Sequence, residues 1–404
     1  MAVRDTNSAS PSSSKPAGRR LLLIALSLGM VGASLLVGLF LGEVVVRTVA
    51  PQQLIEFRSD IYRGADSLAW EHQPNVRGNR INTGEREIQL YTDAGGNRVA
   101  ATGRTQADTK VLLIGDSFAQ ALQVDYPQTF GALLEQRLPA KWGALVYVRN
   151  TGVSGWAGNH YAIKMRRELD RDTFQLAIVT VTLENDEEGG HIVRPAKEPN
   201  LEHKFHVPTE WTFGGLVEAL AYPINDALET RSHLFILVRH AFQQFLMKKG
   251  LSPLPLPVWY YRDSLQSVVW DSSSALLNEA AQAADAHHIS TLFVLLPSSF
   301  QVNSADFNRY VIGFGIDSTR IDLNQPNRLY KERLERYGRT VIDATPALRA
   351  ANERGVRTHG RFDPHLSPEG HVLVAELIEA KALELLKAGT VLPKPPTAAP
   401  PRLK

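Results

Sequence analysis

The 404-residue chain contains no cysteine. That excludes disulfide bridges, thiolate metal ligands and a cysteine nucleophile, so any folded domain here depends on its apolar core. An excess of charge is also missing: 44 Lys and Arg against 42 Asp and Glu leave a net charge of +2. No basic stripe with interleaved aromatics occurs, so nucleic acid is not an expected partner. The close histidine pairs are His203 with His206, His287 with His288, and His359 with His365. None has zincin spacing, and the sequence places no third ligand beside any of them, so neither a metal nor a cofactor is expected. No internal repeat is evident.

What is present begins with a membrane-length segment. Leu21 to Gly42 carries no charged residue, and a helix of that length spans about 33 Å, enough for a bilayer core of roughly 30 Å. A cleaved signal peptide normally has an apolar region of about 7 to 15 residues followed by a small-x-small site. This run is longer, and Phe40-Leu41-Gly42-Glu43-Val44 offers no such site. An uncleaved signal anchor is the expectation. Arg4, Lys15, Arg19 and Arg20 precede it with only Asp5 opposing, which leaves the N-terminus in the cytoplasm and the rest periplasmic or extracellular.

The expected organisation is a disordered tail over 1–20, the anchor over 21–42 and a polar, turn-rich, β-rich lead-in over 43–106. A main domain over 107–388 and a Pro-rich tail over 389–404 follow. In the main domain apolar runs of strand length alternate with helical patterns. Strands are expected near 111–115, 144–149, 175–183, 290–297 and 339–343. Helices are expected near 127–138, 158–170, 345–354 and 367–387. Such alternation predicts an α/β fold with a parallel sheet covered by helices on both faces. A helical insertion is expected at about 187–289. It contains an amphipathic stretch with Leu234, Phe235, Leu237, Val238, Ala241, Phe242 and Phe245 on one face. Packing of that face on the domain is expected, ahead of a membrane-surface or partner helix. Loops bearing His191, Arg194, Trp211 and Trp259 are candidates for shaping a pocket.

Four segments stand where an open α/β sheet gathers its ligands, just after a strand or just before a helix. The first is Gly115-Asp116-Ser117, which ends the run Val111 to Ile114. The second is Asn150-Thr151-Gly152-Val153-Ser154-Gly155, and the third is Leu183-Glu184-Asn185-Asp186. The last is Asp363-Pro364-His365-Leu366-Ser367-Pro368-Glu369-Gly370-His371, which opens the final helical pattern. Gly-Asp-Ser alone is also ordinary turn and cap chemistry. A serine so placed becomes a nucleophile when a histidine base stands beside it.

In this order the segments resemble the SGNH (GDSL-type) hydrolase family over roughly residues 107 to 388, in the form of a membrane-anchored bacterial envelope member. The four residues of the family name map to Ser117, Gly155, Asn185 and His365. The run around Asn159-His160 is unrelated to that acronym, and a structural or surface role is expected for His160. The third block usually carries a glycine where Leu183 stands, and the last block is one residue shorter than the usual Asp-x-x-His. The resemblance implies a flavodoxin-like three-layer domain behind a single transmembrane helix. It implies Ser117 as nucleophile, His365 as general base and acid, and Asp363 as the residue orienting the histidine. Asp343, at the end of its strand, is an alternative for that last role. Oxyanion donors would be the backbone N–H groups of Ser117 and Gly155 and the Asn185 amide. Asp116 and Asn150 are expected to brace loops.

Three functions follow. An envelope serine esterase would remove O-acyl groups, with acetyl expected, from a glycan or related ester. An O-acyltransferase would hand the same acyl group to a glycan hydroxyl, beside a polysaccharide-export or acyl-donor membrane protein. A non-catalytic glycan-binding assembly component would use the domain without turnover.

Overall fold

The computed structural model describes residues 17–52, 60–65, 67–83, 85–102, 107–183, 227–228, 231–249, 256–262, 267–361 and 363–391. The chain opens with helix α1, Ala17–Val49. Within the stretch Leu22–Val49 an 18-residue window has mean hydropathy 2.3, and the helix is long and apolar enough to cross a bilayer. Nearly all of its side chains are exposed.

Two antiparallel hairpins follow. The first pairs β1 (Tyr62–Ala65) with β2 (Ala69–His72), the second β3 (Arg77–Asn82) with β4 (Glu87–Tyr91). In β4, Ile88 and Leu90 are buried between exposed Glu87 and Gln89, the period-two pattern of a half-covered sheet.

The main sheet has five parallel strands: β5 (Thr109–Ile114), β6 (Val146–Asn150), β7 (Leu176–Thr182), β8 (Ser290–Leu296) and β9 (Thr340–Asp343). Their order is β6-β5-β7-β8-β9, which in chain order is the flavodoxin-like 2-1-3-4-5 arrangement that the resemblance implies; the alternating pattern predicts the parallel sheet itself. Alternate residues feed two cores. Leu112, Ile114, Val179, Val181, Phe293 and Leu295 face one side, while Val111, Leu113, Ile178, Leu292 and Val294 face the other. Both faces are covered, so these strands read as continuous apolar runs.

Short helix α2 (Ser117–Gln120) follows β5, and α3 (Phe130–Trp142) and α4 (Gly158–Leu169) follow in turn. Beyond β7 come α5 (His233–Lys248) and α6 (Ser267–Asp285). After β8 stand α7 (Ser299–Val302), α8 (Ser304–Phe314) and α9 (Gln325–Arg336). After β9 stand α10 (Thr345–Glu353) and α11 (Pro368–Val391). On one face α4, α6 and α9 contribute Tyr161, Met165, Trp270, Leu277 and Tyr330; on the other, α3 and α11 contribute Phe130, Leu134, Val374 and Ile378. The end of the 187–289 span, α6, is therefore the crossover helix between β7 and β8.

The amphipathic stretch expected to pack on the domain forms α5, but its apolar face is largely uncovered. Val238, Phe242 and Phe245 are more than half exposed, and Ile236 on the opposite side is buried. The face that meets the protein is not the apolar-rich one, which corrects the sequence reading.

Candidate active site

The Gly115-Asp116-Ser117 turn is built by close approach. A Cβ on Gly115 would collide with Thr180 Oγ1 on the neighbouring strand and with Ala119, so the chain can bend off β5 there only with glycine. Asp116 is fully buried and caps α2: its Oδ1 accepts the N–H of Phe118 at 2.9 Å and the Thr182 hydroxyl at 3.0 Å. Asp116 is thus a bracing residue, as expected from its type. Ser117 sits on the first turn of α2, next to the point where the sheet order reverses.

The histidine arrives from the loop before α11. Ser367 caps that helix, accepting the Gly370 N–H at 3.2 Å, and Pro368 occupies its first position. Upstream, Gly360 N–H bonds to the His365 carbonyl at 2.9 Å and Ser367 N–H to the Thr358 carbonyl at 3.0 Å. These bonds pair His365 with Gly360 and Ser367 with Thr358, which fixes the main chain on either side of the His365 ring.

The structure brings Ser117, His365 and Asp363 together. His365 Nε2 lies 2.8 Å from Ser117 Oγ, and Nδ1 lies 2.5 Å from Asp363 Oδ1. Asp363 Oδ1 also accepts the His365 backbone N–H at 2.9 Å, so the shortened Asp-Pro-His block folds back on itself and still reaches the ring. Burial raises the Asp363 carboxyl, but the hydrogen bonds and positive charge of His365, with a hydrogen bond from Gln123, hold it below its ordinary range. An ionised Asp363 fixes the Nδ1–H tautomer and leaves Nε2 free to accept from the serine hydroxyl. Asp343 is engaged elsewhere. Its Oδ1 accepts the Thr345 N–H and the Asn327 amide, both at 2.9 Å.

The other nearby histidines have different surroundings. His359 is buried with Nε2 donating to the Pro297 carbonyl at 3.0 Å, and burial lowers its pKa to about 4. Through Nδ1, His371 accepts the Phe130 N–H at 3.2 Å and stacks on that ring, and burial lowers it to about 3. His160 stacks on Trp156, and its Nδ1 accepts the Ala157 N–H at 3.2 Å at the start of α4. That is a structural role, as expected.

Gly155 has φ +76°, a left-handed conformation that favours glycine. Its turn is clamped from two sides. Ser154 N–H bonds to Gln120 Oε1 at 3.2 Å, and the Trp70 indole N–H bonds to the Ser154 carbonyl at 2.8 Å. Asn150 braces both loops: its amide donates to the Ala119 carbonyl at 2.7 Å and its Oδ1 accepts the Gly152 N–H at 3.0 Å. Asn185, His191, Arg194 and Trp211 lie outside the described residues. Trp259 donates to the Leu183 carbonyl at 3.3 Å and packs between two apolar clusters.

The lead-in supplies residues that sequence reading missed. The Arg98 guanidinium is fully buried and donates to the carbonyls of Gln120, Ala121 and Val124 at 2.5 to 2.7 Å. It thereby closes the turn that follows Ser117. Gln120 donates to Tyr62 OH at 2.7 Å and to His72 Nε2 at 2.6 Å. His72 Nδ1–H in turn reaches the Gly96 carbonyl at 3.1 Å. Glu85 Oε1 accepts the backbone N–H of Asp363 at 2.9 Å. Gly96-Asn97-Arg98 is visible in the sequence as a turn, but carbonyl acceptors leave no signature of their own.

A cleft of about 200 Å³ opens on the His365 and Asp363 side. Thr83, Glu85 and Arg86 of the second hairpin form one wall, and Gln123, Arg361 and Ser367 contribute to the rest.

No family model matches the chain, and no curated protein matches it in sequence. Among solved structures it is similar to a member of the lipolytic G-D-S-L family from Veillonella parvula, at 12% identity and TM-score 0.35, covering 70% of this chain and 100% of that one. It is also similar to Axe2, an acetylxylan esterase from Geobacillus stearothermophilus, at 14% identity and TM-score 0.36, covering 70% and 95%. LAE5, an alpha/beta hydrolase enzyme from the metagenome of Lake Arreo, matches at 14% identity and TM-score 0.35, covering 70% and 98%.

Proposed function

We propose that the chain is a membrane-anchored serine esterase of the SGNH type that removes O-acyl groups from a glycan or a related ester. One observation carries the reading: Ser117 Oγ, His365 and Asp363 form an unbroken hydrogen-bonded line at 2.8 and 2.5 Å. In the proposed reaction Ser117 Oγ attacks the acyl carbonyl as His365 Nε2 takes its proton. The alcohol leaves with a proton from the same nitrogen. Water then attacks the acyl-serine, His365 takes a proton from the water, and acid and Ser117 are released. Backbone N–H groups of Ser117 and Gly155 and the Asn185 amide would stabilise the oxyanion, each donor being worth on the order of 100- to 1000-fold in rate.

Thr83, Arg86, Gln123 and Ser367 at the cleft support a hydroxyl-rich substrate, since their side chains offer hydrogen bonds. Helix α1 supports anchoring by its length and apolarity, and the basic residues ahead of it support an outside location for the domain.

The test is turnover of p-nitrophenyl acetate and of an O-acetylated glycan by the full-length chain in detergent, beside Ser117→Ala and His365→Ala. Turnover by the wild type that both variants lose supports the reading. Folded wild type with no turnover, or variants as active as wild type, sinks it. Acetyl recovered on an added glycan acceptor instead of as free acetate assigns transfer rather than hydrolysis.

A further inference from the structure

The exposed apolar face of α5 starts at the exit of α1. Glu43, one residue past the uncharged stretch, accepts the backbone N–H groups of His233 and Leu234 at 3.1 and 2.9 Å and the Ser232 hydroxyl at 2.8 Å. It therefore caps the first turn of α5. Arg47 reaches the Arg231 carbonyl at 2.8 Å, and Leu234 lies against Gly42. Contact ends there. Leu35, Leu36, Leu39 and Phe40 stay more than half exposed, so α5 does not run down alongside α1. It leaves at the level of Gly42 to Val46 and packs on α8 of the main domain.

Leu234, Val238, Ala241, Phe242 and Phe245 share one helical stripe. The stripe that touches α1 at Leu234 thus continues uncovered along α5. The segment from Arg231 to Lys249 holds four Lys and Arg and no Asp or Glu. An apolar stripe with Phe and Leu, bordered by Arg and Lys with no acid, is the composition of a helix lying in a membrane surface.

We propose that α5 lies in the interfacial layer of an anionic bilayer, the same bilayer that α1 crosses, with Val238, Phe242 and Phe245 at the acyl boundary and Arg239 and Lys249 among the headgroups. The domain is then held at the membrane by two elements joined through Glu43, which fixes its orientation as well as its distance. This rests on α1 being an anchor.

Because the chain has no cysteine, Val238→Cys, Phe245→Cys, Leu36→Cys and Glu353→Cys each give a unique site for a nitroxide. The full-length variants are placed in vesicles of phosphatidylcholine and phosphatidylglycerol. Relaxation by oxygen is compared with relaxation by a water-soluble nickel chelate. The labels at 238 and 245 are expected to favour oxygen, as Leu36 does, at a depth of about 5–10 Å, while the Glu353 label favours nickel. Leu36 in lipid with Phe245 behaving like Glu353 overturns the interfacial helix and leaves the anchor standing. Leu36 outside lipid overturns the anchor and this inference with it. Spin–spin broadening at Phe245 without oxygen contact assigns the face to a second copy and overturns the proposal.

Discussion

Glu85, on the turn between β3 and β4, accepts the backbone N–H of Asp363 across 278 positions of chain. The contact fixes the acid of the proposed triad from outside the main sheet. Asp363 Oδ1 must serve both the ring and the backbone N–H of His365, so the main chain at Asp363 has little freedom to drift. A hydrogen bond to a charged group is worth about 1.5–3 kcal/mol, and about 1.4 kcal/mol in a barrier is tenfold in rate. Glu85→Ala is expected to lower kcat about tenfold with a smaller change in KM. Glu85→Gln keeps an acceptor oxygen and should restore most of the rate. Equal losses in both variants would assign the effect to charge in the cleft, and no loss in either would remove Glu85 from the positioning of the triad.

Asp363→Asn tests the orienting role directly. An amide can present its N–H to Nδ1, which turns the imidazole to the tautomer that carries its proton toward Ser117 and cannot accept from it. Losses of about 10⁴-fold in kcat are typical of that change in serine hydrolases. KM should hardly move, and burst and steady-state measurements on a p-nitrophenyl ester read both quantities. Asp343→Asn is the control. Asp343 accepts the Thr345 N–H and the Asn327 amide, and asparagine keeps an acceptor oxygen there, so stability should fall by less than about 1 kcal/mol and kcat should stay unchanged. A kcat loss at Asp343 matching that at Asp363 would contradict the assignment.

Arg98 is expected to matter through stability first. Its guanidinium is buried and donates to three carbonyls of the turn after Ser117. Arg98→Met fills much of the volume but leaves those acceptors buried without the charge, at about 1–3 kcal/mol for each unsatisfied group. Denaturant unfolding should show at least about 3 kcal/mol lost, with kcat falling because the serine turn loosens. Arg98→Lys should recover part of it, since one ammonium cannot reproduce the fork. Unchanged unfolding for Arg98→Met would show that the turn holds itself.

Much of the sheet was legible because each strand is an apolar run of strand length bounded by a turn. The run Val111 to Ile114 ends at Gly115-Asp116, and Leu292 to Leu296 ends at Pro297. Helix α9 was not legible. It buries Leu329, Tyr330 and Leu334 amid Lys, Glu and Arg, too few apolar residues to stand out. Helix α6 was absorbed into the insertion because its buried face is largely alanine: Ala280, Ala281 and Ala284. The blocks holding Ser117 and His365 could be placed at strand and helix ends, but the meeting of their side chains is tertiary. The clamps from Arg98, Glu85 and Trp70 act on backbone groups, which every residue shares. For α5 the sequence set out an apolar stripe but not what covers it.

Acid should destabilise this protein well before its carboxylates protonate. Burial lowers His72, His160 and His359 to about 4 and His371 to about 3. In the unfolded chain each takes a proton near pH 6.5. Between pH 6.5 and 4 the unfolded state therefore binds more protons, and stability falls as pH falls. At pH 5 each such histidine removes about 2 kcal/mol, and four together approach the whole stability of a typical domain. Asp363, held below its ordinary range, contributes stability that is present above about pH 4 and lost only below it. The melting temperature should be flat from pH 8 to 7 and drop steeply from pH 6.5 downward, with unfolding complete by about pH 4. In His371→Gln the side-chain oxygen can still accept the Phe130 N–H. The slope of unfolding free energy should then flatten by about 1.4 kcal/mol per pH unit, one proton's worth. A melting temperature that stays level from pH 7 to 5 would mean these histidines are solvated or paired as cations in the folded chain.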